Sequence, residues 1–339
     1  MSTKPKPKVL MAAYHLGDRA IPFIRRMEEA GLEVIRNPFG RTCTEEELIA
    51  ALPGVFATFA IAEPYTDRVF REAKDLRIVA RYGVGYDQID VAAATRHGVM
   101  VAIASGTNHE AVADSAFTQM AALIQKTVQH HLRVKSGGWG LDIHPGLWRL
   151  TAGIVGLGRI GKAVARRCRG FEMRILAYDI RPDLSFARDN NVELVPLETL
   201  LREADVVTLH LPHTPETDNF MKQERLSLMR PTAYLVNTAR GGLVDEEALY
   251  EALASGKIAG AGLDVFKKEP PTGSPLLHLD NVLFSPHSAG SNLTSEAAVG
   301  NRCVDSILAV AQGESPGSEY LLNPEVLRPG RMPTPEHGA

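Results

Sequence analysis

Thr151-Ala152-Gly153-Ile154-Val155-Gly156-Leu157-Gly158-Arg159-Ile160-Gly161 decides how this chain is read. A short apolar run with strand character feeds into G-x-G-x-x-G, and a segment of helical composition follows. Gly156 permits the tight strand-to-helix turn, Gly158 lets backbone approach a pyrophosphate, and Gly161 lets the helix pack close on its strand. The unpaired N–H groups and positive dipole end of that helix then face the phosphates. Glycine-rich turns are common, so the motif needs support. It comes from the next apolar run, Glu172-Met173-Arg174-Ile175-Leu176-Ala177-Tyr178-Asp179, whose last residue stands where an acid receives adenosine ribose hydroxyls. The alternative is a structural turn followed by an ordinary loop aspartate. The combination favours a bound dinucleotide. A carboxylate at 179 also repels a 2′-phosphate, so NAD is expected over NADP; Arg181 is the one nearby feature that could accommodate that phosphate.

Around this stretch the chain has room for about two domains at 339 residues. Its net charge of -3 gives no reason to expect a nucleic-acid or membrane partner, and no apolar run approaches the length of a membrane span. Cys43, Cys168 and Cys303 are too far apart for a metal-spaced pair or a disulfide framework. No metal site is expected, and a reducing cytoplasm fits best. The basic start, Met1 to Lys8, has no apolar region of signal-peptide length behind it.

Strand–helix alternation begins well before the glycine turn. Strands are expected at 9–13, 32–35, 55–61, 77–80 and 99–102, with helical segments at 19–30, 44–51 and 89–97 between them. Such alternation predicts a parallel sheet covered by helices. One long helix is expected from Asn108 to about Val128, opened by a capping box at Thr107-Asn108-His109-Glu110. Its small-residue face (Ala111, Val112, Ser115, Ala116, Gln119, Met120) suits either the core of its own domain or a second subunit. Residues 129–150 lack periodicity and read as a connector. Strands resume at 173–178, 193–195, 206–209, 234–237, 258–263 and 281–285, and a last helix at 292–312 follows them, so the chain is expected to return there to its first domain. Beyond Gly313 the composition turns to Gly, Ser, Pro and Glu, and the last ~20 residues read as a tail, poorly ordered or draped over a surface.

Three polar residues stand where apolar runs end, the edge at which open α/β sheets bind ligands. Arg240 in Val236-Asn237-Thr238-Ala239-Arg240-Gly241-Gly242 can grip a carboxylate with two parallel hydrogen bonds. His287 in Ser285-Pro286-His287-Ser288-Ala289-Gly290 can exchange a proton near neutral pH, and Glu269 could hold its tautomer. Taken singly, each has a bland alternative: a surface arginine before a turn, a loop acid, a structural histidine.

Together with Arg81-Tyr82-Gly83-Val84-Gly85-Tyr86-Asp87, Leu209-His210-Leu211-Pro212 and the block from Asp264 to Pro270, these stretches occur in an order that resembles the D-isomer-specific 2-hydroxyacid dehydrogenases. This is the family of phosphoglycerate, glycerate/hydroxypyruvate and D-lactate dehydrogenases, and the resemblance runs over about residues 8 to 323. It implies an α/β chain of two Rossmann-like domains. A parallel-sheet NAD-binding domain (107–290) is inserted into a flavodoxin-like substrate domain (1–106 and 291–339). It implies His287 as acid/base, Glu269 as its partner, and Arg240 on the substrate carboxylate and carbonyl. Val84 and Gly85 would hold that carboxylate through backbone N–H groups. Cofactor contacts carry over to Thr107, Gly156, Gly158, Arg159, Ile160, Gly161, Asp179, Thr238 and Asp264. The implied reaction is hydride transfer between NAD(H) and a small 2-hydroxy or 2-oxo acid, of phosphoglycerate or hydroxypyruvate/glyoxylate type, in a homodimer joined through nucleotide domains. One departure weighs against a phosphorylated substrate. Where phosphoglycerate dehydrogenases place a phosphate-binding arginine, this chain reads Phe59-Ala60-Ile61-Ala62-Glu63-Pro64-Tyr65-Thr66. Two alternatives share the scaffold: an NAD(H)-sensing binding protein related to the C-terminal-binding corepressors, and a phosphite or formate dehydrogenase. Formate dehydrogenases of the family pair the histidine with glutamine, which Glu269 opposes.

Overall fold

The computed structural model describes residues 5–327; the basic start through Lys4 and the run from Arg328 to Pro335 lie outside them. Among the described residues two compact units form, one from 5–108 with 293–327 and one from 109–292.

The first unit holds five parallel strands: β1 (Lys8–Met11), β2 (Glu33–Arg36), β3 (Val55–Ala60), β4 (Ile78–Arg81) and β5 (Met100–Ile103). Their order is β2-β1-β3-β4-β5, the flavodoxin-like arrangement. Val9, Ala57, Phe59, Ile78 and Ala80 pack on one side with Val304 and Ile307 of the helix Leu293–Ala311, while Leu10, Val55, Val79 and Val101 pack on the other. Strands covered on both faces carry runs of apolar residues without alternation, which is why they were legible as blocks. Side-chain caps set the helix starts: Thr44 and Glu47 form a full capping box, and Thr66 and Asp90 cap theirs singly.

The second unit holds seven: β6 (Thr151–Val155), β7 (Arg174–Tyr178), β8 (Val192–Leu194), β9 (Val206–Leu209), β10 (Tyr234–Asn237), β11 (Gly260–Leu263) and β12 (Val282–Phe284). All pair in parallel, in the order β12-β11-β10-β9-β6-β7-β8. Chain direction across the sheet reverses between β6 and β9, and the carboxyl ends at that reversal form the crevice where doubly wound sheets bind nucleotides.

One local expectation is corrected. The expected helix 108–128 is two helices, His109–Ile124 and Thr127–Lys135, because Lys126 takes a left-handed conformation (φ 48°) that interrupts the first and opens the second. The expected connector therefore begins beyond Lys135. The Thr107 hydroxyl donates to the Ala104 carbonyl (2.6 Å), and Glu110 pairs with Arg166 and Arg167. Of the small-residue face, Ala116 and Met120 lie in their own unit's core with Ala163 and Val164 of the helix Arg159–Gly170. The stretch from 320 to 327 is held in place. Leu321 bridges to Ala102, and fully buried Asn323 accepts from the Val101 N–H (2.9 Å) while its amide donates to Thr95 and Val99.

Candidate active site

At the glycine turn the backbone explains Gly156 and Gly161. Gly156 has φ 95°, and a Cβ there would sit 2.6 Å from the His210 carbonyl oxygen. A Cβ on Gly161 would come within 2.0 Å of the Gly156 oxygen. Gly158, just ahead of the helix Arg159–Gly170, has open space where its Cβ would be, as a backbone that meets a ligand requires. Arg159 and Ile160 form that helix's first turn. Asp179 follows β7 and is docked on the turn itself. One carboxylate oxygen accepts from the Leu157 N–H (2.7 Å) and the other from the Arg181 N–H (2.7 Å). Each oxygen keeps acceptor capacity for a ribose hydroxyl. The open Gly158 and the anchored acid fit a dinucleotide.

The three candidate chemical residues come from neighbouring strands. Arg240 follows β10, Glu269 follows β11 and His287 follows β12, and these strands are adjacent in the sheet. After β10, the Asn237 side chain donates to the Arg240 carbonyl (2.8 Å) and accepts from the Ala239 N–H (3.1 Å). That turn projects Arg240 and leaves Thr238 only 6% exposed, its hydroxyl without a partner among the described residues. Gly241 then rests on the next loop so tightly that a Cβ would lie 1.9 Å from the Phe266 carbonyl carbon. Glycine at 241 thus brings the Arg240 turn against the Glu269 turn.

Glu269 divides its two oxygens. Oε1 accepts from the Phe266 N–H (3.0 Å), and Oε2 lies 2.7 Å from His287 Nδ1. With Nδ1 committed to the carboxylate, Nε2 is the nitrogen left to exchange a proton. Half of the His287 side chain is exposed. His287 itself has φ 52°, a left-handed conformation unusual outside glycine and of the kind found where function constrains the backbone. Asp264, 1% exposed, lies beneath and accepts from the Ser288 and Ala289 N–H groups and the Ser285 hydroxyl. Leu157, Asn237, Gln119 and Ser285 were not among the sequence candidates. Asn237 was findable, since an Asx turn before a glycine pair has a local signature, but the others act through contacts distant in sequence.

Val84 and Gly85 belong to the first unit, in the loop after β4 beyond Gly83, whose φ is 128°. No described residue takes up either N–H in a hydrogen bond. Glu63 is 1% exposed and folds back to accept from the Ile61 N–H (2.8 Å); burial raises its carboxyl above the usual range. No group of three or more potential metal ligands occurs among the described residues, and none of their helices is long and apolar enough to cross a membrane.

A glycine turn at the switch point of a seven-stranded sheet, with an arginine and a histidine–glutamate pair on the same carboxyl edge, defines a nucleotide-binding domain equipped for proton-coupled chemistry. Residues 117–289 match the model of the D-isomer specific 2-hydroxyacid dehydrogenase NAD binding domain, and the chain belongs to that family. It is an NAD(H)-binding oxidoreductase that interconverts 2-hydroxy and 2-oxo acids. A glyoxylate reductase of Pyrococcus furiosus is 40% identical over 340 residues, taking in 95% of this chain and 97% of that protein. A D-3-phosphoglycerate dehydrogenase of Archaeoglobus fulgidus is 40% identical over 90% of this chain, which spans 58% of that longer relative. The solved D-lactate dehydrogenase of Aquifex aeolicus, complexed with NAD and lactic acid, superposes with a TM-score of 0.82 at 27% identity, covering 93% of this chain and 98% of its own.

Proposed function

We propose that the protein reduces a short, unphosphorylated 2-oxo acid of the glyoxylate or hydroxypyruvate kind, with His287 as the acid/base. The 2.7 Å pairing of His287 Nδ1 with Glu269 carries this reading. It presents Nε2–H to an oxygen that becomes an alkoxide and stabilises the imidazolium that donates the proton. Arg240 grips the substrate carboxylate and offsets charge on the reacting carbonyl. Bound NADH supplies the hydride to C2. The unit 109–292 is the NAD-binding domain. Asp179, with one oxygen on the glycine turn and the other on the Arg181 N–H, favours NAD over NADP, and Gly156, Gly158, Arg159, Ile160, Gly161, Thr238 and Asp264 complete its cofactor set. Thr107 is the weakest member, its hydroxyl being bound to Ala104. Val84 and Gly85 offer the substrate carboxylate their N–H groups, and the other unit is the substrate domain. A buried acid at 63, where a phosphate reader would carry a cation, supports the unphosphorylated substrate.

The working form is a homodimer. Its support is an apolar arm on the NAD-binding unit, where Trp139, Leu141 and Ile143 are each at least 90% exposed.

The test is a panel of glyoxylate, hydroxypyruvate, phosphohydroxypyruvate and pyruvate assayed with NADH and NADPH. Glyoxylate or hydroxypyruvate with NADH should give the highest kcat/KM, and H287A should lower kcat by about 10²–10⁴ while leaving NADH affinity within a few fold. Unchanged turnover in H287A, or a preference for the phosphorylated acid, would overturn the reading.

A further inference from the structure

We propose that Gln119 and Ser285 form a buried latch that aims His287. They are positioning residues, and this rests on the reading of His287 as the acid/base. The Gln119 amide, on the helix His109–Ile124, donates to the Ser285 hydroxyl (2.9 Å), and that hydroxyl donates to Asp264 Oδ1 (2.5 Å). A hydroxyl has one proton to give. Ser285 spends it on the carboxylate, so it can meet Gln119 only as an acceptor. The direction of the chain is thereby fixed: amide to hydroxyl to carboxylate.

Asp264 passes that order on to the loop carrying the histidine. Its Oδ1 also accepts from the Ser288 N–H (2.9 Å), its Oδ2 from the Ala289 N–H (2.9 Å), and its backbone carbonyl from the His287 N–H (2.8 Å). Oδ1 is saturated with two donors, while Oδ2 keeps one acceptor site for a cofactor contact. Three consecutive N–H groups, from 287 to 289, thus hang on one residue, and the left-handed conformation of His287 is held from both its sides. Without the latch, Asp264 could turn about its χ angles and the loop would follow.

Room has been made for the amide. Gln119 is 8% exposed, and a Cβ on Gly262 in β11 would lie 2.5 Å from its Oε1. That oxygen has no hydrogen-bond partner among the described residues. A buried amide that leaves one end unsatisfied is costly, and leucine would fill the same core position more cheaply. The polar residue is explained by what its other end holds.

The experiment compares S285A, S285T, Q119L and the S285A/Q119L double variant with wild type and H287A. Steady-state kinetics with NADH and glyoxylate or hydroxypyruvate, NADH Kd and Tm are measured for each. S285A should lower kcat about tenfold, since sub-ångström misaim of a reacting group is expensive, with a smaller rise in NADH Kd because Asp264 also faces the cofactor. S285T, which keeps the hydroxyl, should recover to within about threefold of wild type. Q119L should lose less, and the double variant should be no worse than S285A, because Gln119 acts through Ser285. Wild-type kcat in S285A, or an equal loss in S285T, would overturn the latch. So would a kcat loss that moves in step with Tm across the set. H287A separates the two ideas: full turnover there removes the acid/base reading itself, whereas a dead H287A beside an active S285A removes only the latch.

Discussion

Glu269→Gln is the sharpest perturbation the geometry offers, because the carboxylate serves two donors with two oxygens. Phe266 N–H takes Oε1 at 3.0 Å and His287 Nδ1 takes Oε2 at 2.7 Å. Glutamine has a single acceptor oxygen. If that oxygen stays on Phe266, the amide NH₂ faces Nδ1 and favours the tautomer that cannot keep its proton there. If it turns to His287, the Phe266 N–H loses its partner and the turn packed on Gly241 loosens. Either choice sacrifices one hydrogen bond, and both lose the charge that stabilises an imidazolium. Hydrogen bonds involving charged groups contribute about 1.5–3 kcal/mol. With His287 half exposed and Glu269 about a third exposed, water screens the pair and the lower end applies. That corresponds to about tenfold in kcat/KM. The assay follows NADH oxidation by glyoxylate or hydroxypyruvate in wild type, E269Q and E269A, with NADH Kd measured separately. E269A should be worse than E269Q, since it abandons both donors. An E269Q enzyme within twofold of wild type would refute the tautomer argument.

Two further predictions concern acid stability and assembly. His210 is held neutral: its Nδ1 is buried without a partner, and burial pushes its pKa from 6.5 down to about 3. The unfolded chain takes up that proton below pH 6.5 and the folded chain does not until near pH 3. Stability is therefore full above pH 6.5 and falls as pH drops towards 3, by on the order of a few kcal/mol. Urea denaturation across that range should show a flatter acid limb for H210Q, and an unchanged limb would exclude His210 as its cause. For assembly, sedimentation velocity should show a dimer that Leu141→Glu or Ile143→Glu converts to monomer at micromolar concentration; a dimer that persists in both would place the interface elsewhere.

The sequence made the sheets legible because parallel strands buried on both faces are written as apolar blocks, and the glycine turn because its sterics tolerate so few alternatives. Gly156 and Gly161 each leave no room for a Cβ, so the motif carries structural information one residue at a time. The site was legible only in part. Arg240, Glu269 and His287 could be placed at strand ends, but their assembly depends on β10, β11 and β12 being adjacent, and strand order is a property of the whole sheet. The tail shows a different limit. Composition after Gly313 reads as loose, yet one asparagine with three buried hydrogen bonds anchors 320–327, and no average over a window registers a single residue. Ser285 and Gln119 are the extreme case. Separated by 166 positions, they meet through a hydroxyl whose proton direction follows from Asp264, so their role exists only in the folded chain. The pattern is physical: sequence records what a residue cannot avoid locally, as at Gly161, and is silent on what it acquires from partners, as at Ser285. For an enzyme of this family, the first kind points to the cofactor, and the second is where the proposed aiming of His287 resides.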